Sequence, residues 1–309
     1  MRFLTPALAA LALAAAPALA QTVDITTPAD NSVICLTAQP IVGTITWDPN
    51  YTLYAEFHDY RKVGTNAWTY IGGFDSPPSA GSSFTGTLTT WSFPQGLPDG
   101  RYLYRVTVIT DAGADSDVAE FYVDGLNPTL TWTSPAQGSR IRGLVPLVGT
   151  SSDTAGTTSV VAEYRQSGIG GYLPCNTTGL APGQLATWDT RTVADGVYDL
   201  RVTANDPCGG LVVINRIVTV DNTPPLAAIT APAACGRVSG FYTVRGQATD
   251  ASPVSWTLAY LHNSGTWATI ATGNVPVAAG GTIAVWDTRA VPRCASALRL
   301  EVSDSAVGT

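Results

Sequence analysis

Asp124, Asp153 and Asp206 are the residues whose type and placement could act together, and Asp221, Asp250 and Asp304 repeat the arrangement further along. In each set one aspartate enters from an inter-repeat linker and two close apolar-polar alternating strands. Three carboxylates gathered at one end of a β domain would supply the hard oxygen ligands that Ca²⁺ takes. The competing reading is that each aspartate caps a turn by accepting backbone N–H groups. Other chemistry finds little support. His58 and His262 are the two histidines, they stand in unlike contexts, and neither lies in a G-x-S-x-G or similar nucleophile setting. Glu56 and Asp59 are close to His58 in sequence, but only residues i and i+2 share a strand face. Clustered Cys and His with zinc spacing are also missing from the sequence. The chain is expected to be no enzyme and to need no cofactor beyond a candidate Ca²⁺.

The elements that must position these aspartates follow from a repeated block. WDTRTVADGVYDLRV, Trp188 to Val202, recurs as WDTRAVPRCASALRL from Trp286 and more loosely as WSFPQGLPDGRYLYRV from Trp91. In every copy a Trp closes one strand, a polar turn follows, and an alternating strand opens, which is how a chain crosses between the two sheets of a sandwich. Short strand signals at regular spacing, seven in the first two repeats and six in the third, accompany each block, with Tyr60, Tyr164 and Tyr260 at matching places on a third strand, and Trp68, Tyr172 and Trp267 across its hairpin. Thr, Val, Gly, Pro and Tyr abound and the single lysine is Lys62, a composition suited to strands and turns. The net charge of −7 argues against nucleic acid or an anionic membrane as the main partner.

Residues 1–20 read as a signal peptide: Arg2 supplies the positive start, Leu8 to Ala16 the apolar segment, and Ala18-Leu19-Ala20 the small-residue cleavage rule. That segment is too short to span a bilayer and nothing later approaches about 20 apolar residues. Localisation outside the cytoplasm, at the cell surface, in the periplasm or in the medium, is expected.

The linkers VDGLNP and VDNTPP, the first strands ending S-P-A and A-P-A, and the block WDTRTVADGVYDLRV resemble bacterial Ig-like domains, which recur in tandem in secreted and surface proteins. The likeness extends over the whole mature chain. It implies an all-β array of immunoglobulin-like sandwiches: residues 21–124, 125–221 and 222–309, the last lacking its seventh strand. It implies adhesion, interaction or spacing, with an unidentified protein or glycan ligand, and it carries over no catalytic residue. The alternative is an accessory, carbohydrate-binding region at the front of a larger secreted hydrolase. For the open edge of the third repeat, one expectation is a fragment of a longer chain; the other is a strand donated by a partner.

Ig-type topology also suggests how the five cysteines are used. Cys175 follows the fourth strand of repeat two and Cys208 lies between its last two strands, so both fall at one end and a Cys175–Cys208 disulfide is expected. Cys235 and Cys294 fall together at the opposite end of repeat three, and a Cys235–Cys294 disulfide is expected there. Arg293-Cys294-Ala295-Ser296 stands where repeats one and two have Asp99-Gly100-Arg101-Tyr102 and Asp195-Gly196-Val197-Tyr198, so the third repeat loses the tyrosine suited to a tyrosine corner and gains Cys294 in the same turn. Cys35 is left over as a free thiol.

Overall fold

The computed structural model describes residues 21–74, 83–94, 96–154, 159–262, 264–291 and 297–306. The signal peptide, Cys294 and its expected bond to Cys235 lie outside these residues, although Cys235 itself is an exposed free thiol. The described chain is all-β apart from two three-residue 3₁₀ turns, and it is built as tandem immunoglobulin-like sandwiches. By compactness it forms two units. The first holds Met1–Asn127 with the loops Asp153–Thr157 and Asp206–Gly210; the second holds Pro128–Ser152, Thr158–Asn205 and Leu211–Thr309.

In the first unit the strands are β1 (Gln21–Thr27), β2 (Val33–Cys35), β3 (Gln39–Trp47), β4 (Leu53–Lys62), β5 (Thr69–Phe74), β6 (Ser83–Trp91), β7 (Gly100–Thr110) and β8 (Gly113–Asp124). One sheet has the order β1-β3-β6 and the other β2-β8-β7-β4-β5. The alternation along β7 turns Tyr102, Tyr104, Val106 and Val108 inward, where they meet Trp91, Ile41, Ile45 and Phe121. Burial of this apolar face is the main driving force for closing the sandwich. Trp91 is fully buried, as its place at the end of a strand predicts. The short β2 was not foreseen. It runs parallel to β8, with Val33 opposite Tyr122, Ile34 opposite Val123 and Cys35 opposite Asp124.

The second unit contains β9 (Thr129–Ser134), β10 (Arg140–Ile141), β11 (Leu144–Ser152), β12 (Ser159–Gln166), β13 (Leu173–Pro174), β14 (Gln184–Asp189), β15 (Gly196–Asn205) and β16 (Leu211–Val220). It continues with β17 (Leu226–Ala231), β18 (Phe241–Thr249), β19 (Val254–Leu261), β20 (Trp267–Gly273), β21 (Val277–Asp287) and β22 (Leu298–Asp304). The sheets are β14-β11-β9 facing β10-β16-β15-β12-β13, and β17-β18-β21 facing β20-β19-β22. Each pair closes over its own cluster, around Trp188, Leu147 and Leu200 in one and Trp286, Leu258 and Val244 in the other. Strand β22 ends its sheet, and among the described residues no strand pairs with its outer edge.

Two tyrosine corners form where the repeated block predicts them. Tyr102 Oη donates to Pro98 O at 2.7 Å and Tyr198 Oη donates to Ala194 O at 2.9 Å. The aspartates of the same blocks hold the linkers. Asp99 accepts the amides of Gly125 and Leu126 at 3.0 and 3.2 Å, and Asp195 accepts the Asn222 amide at 2.7 Å.

Candidate metal centre

The first aspartate set is gathered and the second is not. In the first unit Asp124 ends β8, Asp153 lies one residue beyond the end of β11, and Asp206 opens the loop between β15 and β16. Each offers a carboxylate oxygen, and the three lie within 4.8 Å of one another. Asp124 is 0% exposed, and neither of its carboxylate oxygens has a hydrogen-bond partner; Asp206 Oδ2 is buried in the same condition. A buried carboxylate without partners is costly unless it is protonated or neutralised by a cation. Burial first, then the negative charges of Asp153, Asp206 and Asp99, pushes Asp124 up to about 6, with the Leu126 amide acting weakly the other way.

The turn-capping role expected of these residues is divided between atoms of one side chain. Asp206 Oδ1 accepts the amides of Cys208 and Gly210 at 2.7 and 2.9 Å, which orients the group and leaves Oδ2 for another partner. A Cβ at Gly210 would sit 1.9 Å from Asp206 Oδ2 and 3.0 Å from Asn127 Oδ1. The bare glycine therefore keeps a space between two oxygens that a larger residue would fill. Asn127 and Gly210 were missed in the sequence reading. Their only signals are an amide in the linker and a Gly-Gly pair after Cys208, and both are ordinary turn features.

In the second unit the carboxylates are already answered by protein groups. Arg142 Nη1 lies 2.9 Å from Asp304 Oδ2, and the Asp304 side chain is 0% exposed. Ser252 Oγ donates to Asp221 Oδ2 and receives Arg140 Nη1 at 3.1 Å. Asp250 Oδ1 accepts the Ser252 amide at 2.7 Å, and Asp304 Oδ1 accepts the Ala306 amide at 2.9 Å. Among the described residues, Asp221, Asp250 and Asp304 are not gathered as the first set is, and a guanidinium pairs with Asp304.

The cysteines differ from expectation for a topological reason. Cys35 bonds Cys208, with Cα atoms 5.2 Å apart, so Cys35 is not a free thiol and Cys208 is not joined to Cys175. The parallel pairing of β2 carries Cys35 to the Asp124 end of β8, where the Asp206–Gly210 loop also lies within the first unit. Cys175 instead donates its amide to Ala162 O at 2.8 Å and points into the core. Burial, with the nearby Glu163 charge, pushes its thiol up to about 12.

No protein-family model and no curated protein matches the chain. Solved structures that resemble it include tandem-domain proteins. A tetra-tandem repeat in the extending region of a large adhesion protein is 19% identical, with a TM-score of 0.33 over 93% of this chain and 71% of that one. Titin domains I67–I69 are 10% identical, with a TM-score of 0.39 over 94% and 90%. Three N-terminal domains of the bacteriophage RB49 outer capsid protein Hoc are 11% identical, with a TM-score of 0.39 over 93% and 96%.

His58, Glu56 and Tyr104 are committed to packing. His58 Nε2 lies 2.7 Å from Glu56 Oε1, and His58 Nδ1 lies 3.0 Å from Tyr104 Oη. All three side chains are sealed in the first core, and burial, reinforced by Glu56 and Asp59, raises Tyr104 and keeps its phenol protonated. The aligned hairpin aromatics each carry a guanidinium on the ring. Arg105 sits 4.2 Å from the centroid of Trp68, Arg201 4.1 Å from that of Tyr172, and Arg299 4.3 Å from that of Trp267. Each of these rings carries a cation–π contact on a face. No described helix is long and apolar enough to cross a membrane.

Proposed function

We propose that this chain is a secreted, non-catalytic immunoglobulin-like repeat module acting in adhesion, interaction or spacing outside the cell, and that Asp124, Asp153 and Asp206 bind a structural Ca²⁺. The observation that carries the calcium reading is the pair of buried, unpartnered oxygens on Asp124 beside two further carboxylates. With Asn127 Oδ1 nearby, the donors are all hard oxygens, which suits Ca²⁺ better than a thiophilic metal. The role assigned to the ion is charge neutralisation that keeps the end of β8 and the Asp206 loop together. A disulfide supports an oxidising destination, and the guanidinium-covered aromatics weigh against the accessory sugar-binding alternative.

Calorimetric titration of the chelator-treated full chain with Ca²⁺ tests the reading. One site is expected, with a dissociation constant on the order of 10⁻⁴–10⁻³ M as for extracellular modules, lost in Asp124→Asn. No heat and no change in melting at millimolar Ca²⁺ would remove the calcium part of the proposal. A glycan array separates the two module readings: binding to defined sugars, lost on replacing Trp68 or Trp267, would favour the accessory region.

A further inference from the structure

The Cys35–Cys208 disulfide reaches the carboxylate cluster from both sides. Cys35 is the residue paired with Asp124 in the parallel β2–β8 ladder. Cys208 lies two residues after Asp206, and its amide is one of the two that aim the Asp206 carboxylate. Fixing Cys208 to Cys35 therefore fixes Asp206 relative to Asp124.

The second unit contains a built-in comparison. Its β10 pairs in parallel with β16, Arg140 opposite Thr219 and Ile141 opposite Val220, so the next residue, Arg142, holds the place that Cys35 holds beside β8. Arg142 binds Asp304, which stands in its repeat where Asp206 stands in the one before. A single guanidinium there is both the tie and the counter-charge. A disulfide supplies the tie without the charge. The buried, unpartnered oxygens of Asp124 and Asp206 are then held near one another covalently, and a proton or a cation from solution is left to neutralise them.

We propose that the Cys35–Cys208 disulfide and the calcium site are coupled: closing the disulfide raises Ca²⁺ affinity, and Ca²⁺ favours the closed disulfide. This inference rests on the calcium reading given above. Closure joins the two sulfurs, releases both thiol hydrogens and passes two electrons to a small disulfide oxidant, which leaves as two thiols. Coupling is reciprocal, so one factor must describe both effects. An open Cys35–Cys208 pair frees the Asp206 loop to move away from Asp124, because the repulsion between their carboxylates is no longer opposed by a bond.

Two measurements on the full chain test this. Calcium titrations of the oxidised chain and of Cys35→Ser/Cys208→Ser should differ by about tenfold or more in dissociation constant, within the usual range of coupling between sites. Oxidised and reduced glutathione buffers, with the Cys35–Cys208 linked peptide quantified by mass spectrometry, should show the wild-type disulfide favoured by Ca²⁺ through the same factor, about 30 mV for tenfold. The calcium effect on the disulfide should vanish in Asp124→Asn, which retains both cysteines and so covers a serine variant that fails to fold. Equal calcium affinity with and without the disulfide, or a redox equilibrium indifferent to Ca²⁺, overturns the coupling while leaving the site. No binding to the oxidised wild type overturns both.

Discussion

The two aspartate sets look alike in sequence and are resolved by opposite means. Asp304 is paired with Arg142, and Asp221 accepts from Ser252 Oγ, which itself receives Arg140, so both carboxylates have side-chain partners in the same unit. Asp124 and Asp206 meet a disulfide and retain buried oxygens with no partner. The difference turns on the residue beside the end of the last full strand, at the end of the short parallel strand or just past it: Cys35 closes β2, and Arg142 follows β10. Where the chain supplies a cation, an aspartate cluster is a finished structural element. Where it supplies only a crosslink, buried carboxylate oxygens are left without a hydrogen-bond partner.

The largest expected effect on this contrast comes from the covalent tie. Cys35→Ser with Cys208→Ser should lower the stability of the first unit by about 2–5 kcal/mol, read as an earlier thermal transition, with the second unit unmoved. An unmoved first transition would mean that the tie is redundant.

Arg142→Ala tests the other side. It leaves the fully buried Asp304 carboxylate without its counter-charge and should cost the second unit about 1–3 kcal/mol, less than a fully enclosed pair because the arginine is partly in water. Arg142→Lys should recover part of that loss in the same melting experiment.

Calcium should separate the two sets by a smaller amount. At ten times its dissociation constant it should stabilise the first unit by about 1.4 kcal/mol and leave the second transition in place. Asp124→Asn should abolish the calcium shift without harming the metal-free protein, since it removes a buried like charge. Asp221→Asn should be destabilising with or without the ion, because Asp221 already has a partner. If both variants behaved alike in chelator, the distinction between a finished and an unfinished cluster would fail.

Features shared by both repeats should respond equally and least. Tyr102→Phe and Tyr198→Phe each remove one hydrogen bond to a carbonyl at the same crossover and should each cost about 1 kcal/mol. The cysteines outside the tie give a chemical check. Alkylation of the native chain near neutral pH should label the exposed Cys235 and spare Cys175, whose thiol is buried and pushed up to about 12. Labelling of Cys175 on the same timescale would contradict its place in the core.

Much of the architecture was legible because its signals are local. Alternation along residues 100–110 and 196–205 identifies strands and their inward faces, and the recurring Trp and Asp-Gly-x-Tyr pattern identifies the crossover between sheets. The inward Trp91, Trp188 and Trp286 and the two tyrosine corners follow from that pattern and are present. The short β2 and β10 were not legible, because two or three residues show no reliable periodicity and their strand character comes from a neighbour far along the chain.

Everything that distinguishes the two aspartate sets depends on such distant neighbours. From the residues alone, the succession of the main strands, their inward faces and the recurrence of the aspartates at strand ends were determined, since side-chain alternation is a property of a few consecutive residues. Which aspartates converge, that Cys35 reaches Cys208 across 173 positions, and that Arg142 rather than an ion answers Asp304 were decided by tertiary structure. Those contacts depend on strand register and loop placement, and no short stretch of sequence encodes the distance between residues that the fold alone brings together.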